Sequence, residues 1–266
     1  MEKDNTAMGL YQTEGVVLHK RPAGEYDKAV VLLTESDGLV HAVVKGALRP
    51  GSKLGPLTEP LSWGLFELFR GKTQDRITGC ELRSSFPRIS ESYPRLVYAA
   101  YLCELEMLFS SQRDPDPKAF WFFVSALKTL ETADDCWSPA RRAEIGILEY
   151  AGLFPVLEEC VACGGEVPGE AMFSPGLGGI LCPKCAGTIE LPAGETYPMS
   201  PGSRKTVLHL RNSALADVHR VNAQGSVRDE VGKLLRRYIE YVLGTRPKSA
   251  VLVEKLEERA GSRSRR

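Results

Sequence analysis

The first third of the chain contains short apolar runs separated by turn residues. Five of these runs are rich in Val and Leu, and they cover residues 14–20, 27–35, 39–46, 61–71 and 75–86. Short runs of this kind, bounded by Gly, Pro, Asp and Ser, are typical of β-strands. Five strands in so short a stretch predict a small, closed antiparallel barrel.

From about residue 90 the apolar positions follow the period of a helix. One helix is expected to begin with Ser138 as its N-cap and Pro139 in its first turn, and to stop at Gly152. Helices are also predicted at 94–109, 117–131, 202–211, 226–243 and 248–259. The FWFF cluster of the helix at 117–131 is expected to lie mainly in the core, because consecutive residues point in different directions around a helix.

These patterns predict an α+β multidomain protein. Its N-terminal part is a five-stranded β-barrel of the oligonucleotide-binding (OB) type, and a mainly helical domain with a four-cysteine zinc element follows. The predicted limits are 1–84 for the barrel, 90–259 for the helical domain, about 158–188 for an inserted zinc knuckle and 260–266 for a loose basic tail.

Four of the seven cysteines form two CxxC pairs, Cys160 with Cys163 and Cys182 with Cys185, separated by 18 residues. This spacing is typical of a zinc site, because each CxxC turn supplies two thiolates to a tetrahedral ion. Four protein thiolates leave no position for water or substrate, which indicates a structural site. The alternatives are a redox CxxC or core thiols without a ligand. Few apolar residues lie between the pairs, so we expect this segment to have little core of its own.

The remaining cysteines, Cys80, Cys103 and Cys136, are expected to be reduced and partly buried thiols. The chain has no apolar run of about 18 residues, and its first residues are polar, so we expect neither a membrane span nor a signal peptide. Together these features predict a cytoplasmic protein.

Charge is distributed unevenly along the chain. Residues 1–80 carry 10 basic and 10 acidic side chains, residues 81–200 carry 9 and 17, and residues 201–266 carry 15 and 7. The net charges are therefore 0, −8 and +8. This asymmetry suggests a polyanionic or acidic partner for the basic segment. It is equally consistent with acidic and basic helices that neutralise each other within one domain.

The loop at residues 43–57 is a candidate for contact with nucleic acid. It contains Lys45, Arg49 and Lys53 and no acidic residue, and its glycines and prolines are expected to keep it flexible and irregular. Such a loop could follow a phosphate backbone through contacts that are salt-dependent and independent of sequence. An ordinary solvated loop is the alternative.

Aromatic side chains on the next strand could add base stacking. Trp63 and Phe69 are in register on one face of the strand, and Phe66 lies on the other. Because one face must be core, only one or two of these rings can be free.

The sequence gives little evidence of a catalytic site. The four histidines are scattered, and none of the common hydrolase, phosphate-loop or dinucleotide motifs occurs. Glu158 and Glu159 precede the first cysteine pair and are expected to border the zinc site rather than to act as bases. These observations do not indicate an enzyme.

The chain resembles the RecO family of bacterial recombination mediators over nearly its whole length. The order and spacing of several segments carry this resemblance: EGVVLHKRPAGEYDKAVVLLTESDGLVHAVVKGALRPGSKLGPL in the barrel, AGLFPVLEECVACG and MFSPGLGGILCPKC around the cysteines, and LLRRYIEYVLGTRPKSAVLVEKL near the end. The resemblance implies an OB barrel, a helical domain that bears zinc, and a role that is not enzymatic.

The resemblance further implies binding to single- and double-stranded DNA and annealing of complementary strands. These include strands coated with the single-stranded-DNA-binding protein (SSB), which the family contacts through SSB's acidic, apolar C-terminal tail. RecR, and often RecF, are implied partners in loading RecA. The four cysteines match the family's zinc ligands, and Lys45, Arg49 and Lys53 match its basic barrel loop. That loop is less charged than usual here, because the family often has paired basic residues at Leu48–Pro50.

The basic C-terminal segment could supply further phosphate contacts. The candidates from charge alone are Arg204, Lys205, Arg211, Arg236 and Arg237. A zinc-ribbon nucleic-acid-binding module of the transcription or translation machinery is the main alternative function. A zinc- or thiol-dependent enzyme and a scaffold that binds only proteins are weaker alternatives.

Overall fold

The computed structural model describes residues 9–190 and 195–264, with side chains as far as residue 260. The predicted polar N-terminus at 1–8 and the last two residues of the predicted basic tail lie outside this part. Contacts divide the chain into two units. One contains the chain up to Leu96 together with Cys103–Glu131, and the other contains Val97–Leu102 and the chain from Thr132 onward.

Five strands close into a barrel in the first unit, as the sequence predicts. They are β1 (Leu10–Pro22), β2 (Lys28–Thr34), β3 (Gly38–Val44), β4 (Trp63–Phe69) and β5 (Asp75–Ser84). Their order around the barrel is β1-β2-β3-β5-β4. Neighbours are antiparallel except for β3 and β5, whose short parallel pairing closes the barrel.

The barrel core is built by one face of each strand. Its buried residues include Val17, Leu32, Val40 and Phe66. At Gly15 the backbone approaches the core so closely that an added Cβ would lie 3.2 Å from the Phe66 ring. Phe66 is thus a core residue, on the opposite face of β4 from Trp63 and Phe69 as the register predicts.

The basic loop after β3 is more regular than the sequence indicates. Leu54–Leu57 form one helical turn, α1, although the loop is predicted to lack regular structure. Pro56 is compatible with this turn, because residues in a first helical turn need no backbone N–H donor. The hydroxyl of Ser52 also accepts a hydrogen bond from the Gly55 N–H at 3.1 Å.

All six predicted helices are present. The longer helices are α3 (Tyr93–Phe109), α4 (Pro117–Thr132), α5 (Trp137–Tyr150), α7 (Pro201–Asn212), α8 (Gly225–Leu243) and α9 (Ala250–Ser264). The short helices α2 (Pro87–Ser90) and α6 (Pro183–Ala186) and a 3-10 turn at Leu215–Arg220 were not predicted. No helix in residues 9–190 and 195–264 is long and apolar enough to cross a membrane.

Two predicted helix limits are wrong. Ser138 is not the N-cap of α5, because the helix already includes Trp137 and the Ser138 hydroxyl donates instead to the Val221 carbonyl at 2.9 Å. Helix α9 continues to Ser264, five residues beyond its predicted end at residue 259. Gly152 does follow the end of α5 and has a φ of +70°, which favours glycine.

Most of the FWFF cluster on α4 is core, as expected. Phe120 and Phe123 are fully buried. Trp121 is partly exposed, but its indole N–H donates to Glu35 at 2.7 Å and its ring meets the Trp63 ring edge-on at 6.2 Å. This cluster therefore stabilises the first unit rather than forming an open stacking surface.

The cysteine segment forms a small sheet, most of whose apolar residues are buried. Its sheet, in the order β6-β8-β7-β9, consists of Val156–Cys160, Gly179–Leu181, Ala171–Ser174 and Tyr197–Met199. Phe173, Ile180 and Leu181 are buried, and the Phe173 ring packs edge-on against Tyr238 of α8 at 5.6 Å. The few apolar residues of this segment thus pack against the helices.

A buried ionic cluster lies in the second unit. The guanidinium of Arg141 is fully buried and lies 3.0 Å from the Glu144 carboxylate and 3.6 Å from that of Glu257 on α9. Glu257 also pairs with Arg236 and accepts a hydrogen bond from the Tyr98 hydroxyl at 2.9 Å. One carboxylate of α9 is therefore shared by two buried guanidinium groups.

Candidate metal centre and nucleic-acid surface

The four cysteines of the two CxxC pairs come together at one point. The Sγ atoms of Cys160, Cys163, Cys182 and Cys185 all lie within 4.8 Å of one another. Tetrahedral zinc with Zn–S bonds of about 2.3 Å requires sulfur atoms roughly 3.8 Å apart, so this arrangement can hold a metal ion after a small contraction.

Local backbone structure positions each cysteine. Cys160 ends β6, and the turn after it is closed by a bond from the Gly164 N–H to the Cys160 carbonyl at 2.8 Å. Cys182 is the N-cap of α6, and its Sγ accepts from the Cys185 N–H at 3.5 Å. The Cys182 N–H donates in turn to the Cys160 sulfur at 3.3 Å. One sulfur atom of each pair, that of Cys160 and that of Cys182, therefore accepts a backbone N–H hydrogen bond.

The electrostatics of the cluster favour a cation. Although burial opposes it, backbone N–H groups, first that of Cys182, lower the pKa of the Cys160 thiol to about 6. Hydrogen bonds that Cys185 shares with Cys182 and Cys163 raise its pKa to about 12. Four sulfur atoms this close cannot all be negatively charged unless a cation lies among them. A set of four thiolates is the one that structural zinc prefers, so the residues fit Zn²⁺.

The acidic residues beside the cluster do not serve as ligands. The group of described side chains that could hold a metal contains the four cysteines and neither Glu158 nor Glu159, and the Glu158 carboxylate pairs with Arg211 at 2.8 Å. Their positions agree with the expectation that they border the site.

On the barrel, the basic loop lies against the β1–β2 turn. The ammonium of Lys45 is 2.6 Å from the Asp27 carboxylate, and the Gly46 N–H donates to the same carboxylate at 2.8 Å. These contacts, first that with Lys45, hold the pKa of Asp27 below its usual range. The Lys45 side chain is still 66% exposed. The pairing therefore fixes one end of the loop without burying its charge.

The middle of the loop is also held in place. The Leu48 N–H donates to the Tyr26 carbonyl at 2.9 Å, and the Arg49 guanidinium lies over the Tyr26 ring at 5.0 Å. These contacts hold the middle of the loop against the β1–β2 turn. Lys53 is exposed beyond these contacts. Sequence reasoning did not single out Tyr26, although an aromatic residue in the polar turn PAGEYD, where no core needs it, is a signal that could have found it.

The aromatic residues of β4 differ in what they can offer to a ligand. Trp63 stacks on Phe86 at 6.2 Å, and the Lys128 ammonium lies 4.3 Å over its ring. Phe69 is exposed, with the Arg76 guanidinium over it at 5.8 Å. Trp63 is therefore engaged within its own unit, and Phe69 is the more open ring.

The C-terminal cations fall into two groups. Arg236 is 6% exposed and paired with Glu257, and Arg211 is paired with Glu149 and Glu158. The pairs of Arg211 join the basic segment to the acidic one, as the alternative of mutual neutralisation expects, whereas Arg236 pairs within the basic segment. A buried, paired guanidinium such as that of Arg236 is not available to a phosphate. The more accessible group consists of Arg204, which is partly buried, Lys205, which is exposed, and Arg237, which is exposed with its guanidinium 4.2 Å over the Tyr197 ring.

Comparison with known proteins covers nearly the whole chain. The family model for the N-terminal part of recombination protein O matches residues 8–86, and that for its C-terminal part matches residues 90–250. DNA repair protein RecO of Symbiobacterium thermophilum is 32% identical over 87% of this chain and 92% of its own length. The protein of the same name from Rubrobacter xylanophilus is 33% identical over 92% of this chain and 96% of its own length.

Proposed function

The chain belongs to the RecO family of DNA repair proteins, and on this basis we propose that it is a recombination mediator that binds single- and double-stranded DNA and anneals complementary strands. Annealing extends to strands coated with SSB, and RecR assists in loading RecA. The observation that carries the proposal is the match of both family models to this chain. The exposed cations of the barrel loop support it.

The proposed mechanism involves no covalent step. Two DNA strands repel each other because both are polyanions, and a protein that neutralises phosphates on both strands lowers this barrier. Base pairing then supplies the specificity, so the protein need not read sequence. The role is accordingly one of binding rather than of catalysis, and it places the protein in the cytoplasm with the nucleoid.

The phosphate contacts are assigned to exposed cations. On the barrel these are Lys45, Arg49 and Lys53. In the second unit they are Lys205 and Arg237, together with Arg204, which precedes Lys205 in the chain. Arg211 and Arg236 are left out of this set because both are engaged in ion pairs.

Partners and metal complete the proposal. RecR, SSB through its C-terminal tail and, less directly, RecF and RecA are the protein partners that the family implies. The cysteine cluster binds one structural Zn²⁺ per chain, which fixes the geometry of the segment between β6 and α6.

Annealing of two complementary oligonucleotides coated with SSB tests the function directly. The protein is expected to accelerate pairing, and the acceleration should weaken as salt rises from low to moderate concentration, because phosphate contacts release counterions. The rate is followed by fluorescence energy transfer between labelled strands. No acceleration at either salt by folded, zinc-loaded protein, with or without RecR, would contradict the proposal and direct attention to a transcription or translation partner.

Neutralising the barrel loop should change the salt dependence of DNA binding. In a variant with Lys45→Gln, Arg49→Gln and Lys53→Gln, the slope of log K against log salt should become shallower by about 2 on single-stranded DNA, since each lost phosphate contact contributes about 0.7. Fluorescence anisotropy at several salt concentrations measures the slope.

Two further variants complete this experiment. Lys118→Gln, an exposed cation on α4, is the matched control and should leave the slope unchanged. A double variant, Lys205→Gln with Arg237→Gln, measures the share of the helical unit. If the slope of the triple variant equals that of the unaltered protein, the barrel loop is not a phosphate-binding surface.

A further inference from the structure

The β1–β2 turn and the basic loop together form an exposed tip on the barrel, which we call the Tyr26 tip. Tyr26 is 40% exposed and Leu48 is 48% exposed, and both side chains are apolar surfaces in an otherwise polar region. Lys45, Arg49 and Lys53 lie in the same loop as Leu48. The tip therefore combines a partly exposed aromatic ring with nearby positive charge.

Hydrogen bonds fix the Tyr26 tip before any ligand arrives. The Leu48 N–H donates to the Tyr26 carbonyl, and the Ala23 N–H donates to the Asp27 carbonyl, both at 2.9 Å. The Asp27 carboxylate binds Lys45 and the Gly46 N–H. A ring on such a rigid support loses little conformational freedom when a ligand stacks on it, which favours binding.

Charge is arranged unevenly around the ring. The Arg49 guanidinium lies 5.0 Å over the ring of Tyr26, with Lys53 further along the same loop. The Tyr26 hydroxyl, in contrast, shares a hydrogen bond with the Glu25 carboxylate, which raises the pKa of the phenol and keeps it neutral. Phosphate groups are therefore favoured beside the guanidinium and disfavoured at the hydroxyl.

We infer that Tyr26 is a stacking site for an unpaired base of single-stranded DNA, with Arg49 and its neighbouring lysines binding the adjacent phosphates. This inference rests on the proposed function and specifies the form of DNA that the barrel loop takes. Every base has a π-face, so stacking tolerates any sequence, whereas a duplex hides these faces between its base pairs. Both single-stranded and duplex DNA can make the phosphate contacts, but only single-stranded DNA offers an unpaired base that can stack on the Tyr26 ring.

Three ligands separate stacking from phosphate binding: a short oligothymidylate, an abasic oligonucleotide with the same number of phosphates, and a duplex. Tyr26→Ala is expected to weaken binding of the oligothymidylate roughly 5- to 150-fold, the range for loss of one base–aromatic stack. Binding of the abasic strand and of the duplex should not change. Tyr26→Phe should bind like the unaltered protein, because it keeps the ring.

The control variant changes a tyrosine outside the tip. Tyr93→Ala removes another exposed tyrosine, on α3, and should have no effect, and thermal melting of each variant verifies folding. An equal loss on intact and abasic strands, or no loss on either, would overturn the stacking site while leaving DNA binding intact. If the unaltered protein binds none of the three ligands, the proposed function itself fails. Vesicles of anionic phosphatidylglycerol serve as a fourth ligand. If Tyr26→Ala lowers binding to these vesicles and to none of the DNA ligands, the tip binds a lipid surface instead.

Discussion

The Cys182→Ser variant is expected to lose its zinc and to unfold about 10 °C below the unaltered protein. Loss of one thiolate opens the tetrahedral site, and loss of a structural metal belongs to the few changes that cost about 4 kcal/mol or more of unfolding free energy. For a chain of this size such a loss corresponds to roughly 8–16 °C. Calorimetry measures the melting temperature, and mass spectrometry of the metal measures zinc per chain.

The control for this experiment is Cys80→Ser, which alters a cysteine outside the cluster. It should keep one zinc per chain and a nearly unchanged melting temperature. Because the cysteine segment lies in the second unit and the barrel in the first, we expect Cys182→Ser to disorder this segment rather than to unfold the barrel. An unchanged melting temperature with full zinc content would show that Cys182 is not a ligand.

The second large effect is expected at the buried ionic cluster. Replacing Glu257 with glutamine keeps the shape of the side chain but removes the negative charge shared by Arg141 and Arg236. Breaking a buried ion pair on one side typically costs about 3–5 kcal/mol, because the remaining charge is left uncompensated. Urea unfolding at neutral pH measures the change in free energy. The neighbouring exposed carboxylate offers the control Glu258→Gln, which should stay within about 0.5 kcal/mol of the unaltered protein.

The pH dependence of this variant has a definite sign. Burial raises the pKa of Glu257, but Arg141 and Arg236 outweigh it, and the pKa lies below its ordinary value of 4.5. The charged carboxylate therefore stabilises the folded protein above pH 4.5, and this contribution is lost as pH falls through the lowered pKa. The difference between the unaltered protein and Glu257→Gln should shrink at acid pH. A difference that does not vary with pH would mean that Glu257 acts through shape and not through charge.

Features set by local sequence could be predicted. The five barrel strands follow from short Val- and Leu-rich runs between turns, and the main helices follow from apolar residues at helical spacing. The meeting of Cys160, Cys163, Cys182 and Cys185 follows from the CxxC spacing, which is the spacing that lets two turns offer four thiolates to one tetrahedral ion. In each case the residues that determine the structure lie near one another in the chain.

Features set by distant partners could not be predicted. The burial of Arg236 depends on Glu257 of α9, and the role of Ser138 depends on the Val221 carbonyl. The core of the cysteine segment depends on Tyr238 of α8, which no pattern within that segment reveals. The position of the barrel loop likewise depends on contacts with Tyr26 and Asp27 from another turn. Charge and composition give no indication of which partner each side chain finds.

The closure of the barrel also limits how a protein partner can dock. Among the described strands of the barrel each has two neighbours, so an extended peptide such as an SSB tail cannot join it by adding a strand. The small sheet has two edges, β6 and β9, and at the β6 edge Glu158 and Glu159 would repel an acidic tail by like charge. Charged residues on an edge strand also oppose the pairing of sheets from different molecules, and they thereby reduce aggregation. A tail of this kind would therefore not be held by a backbone ladder on the barrel or at the β6 edge.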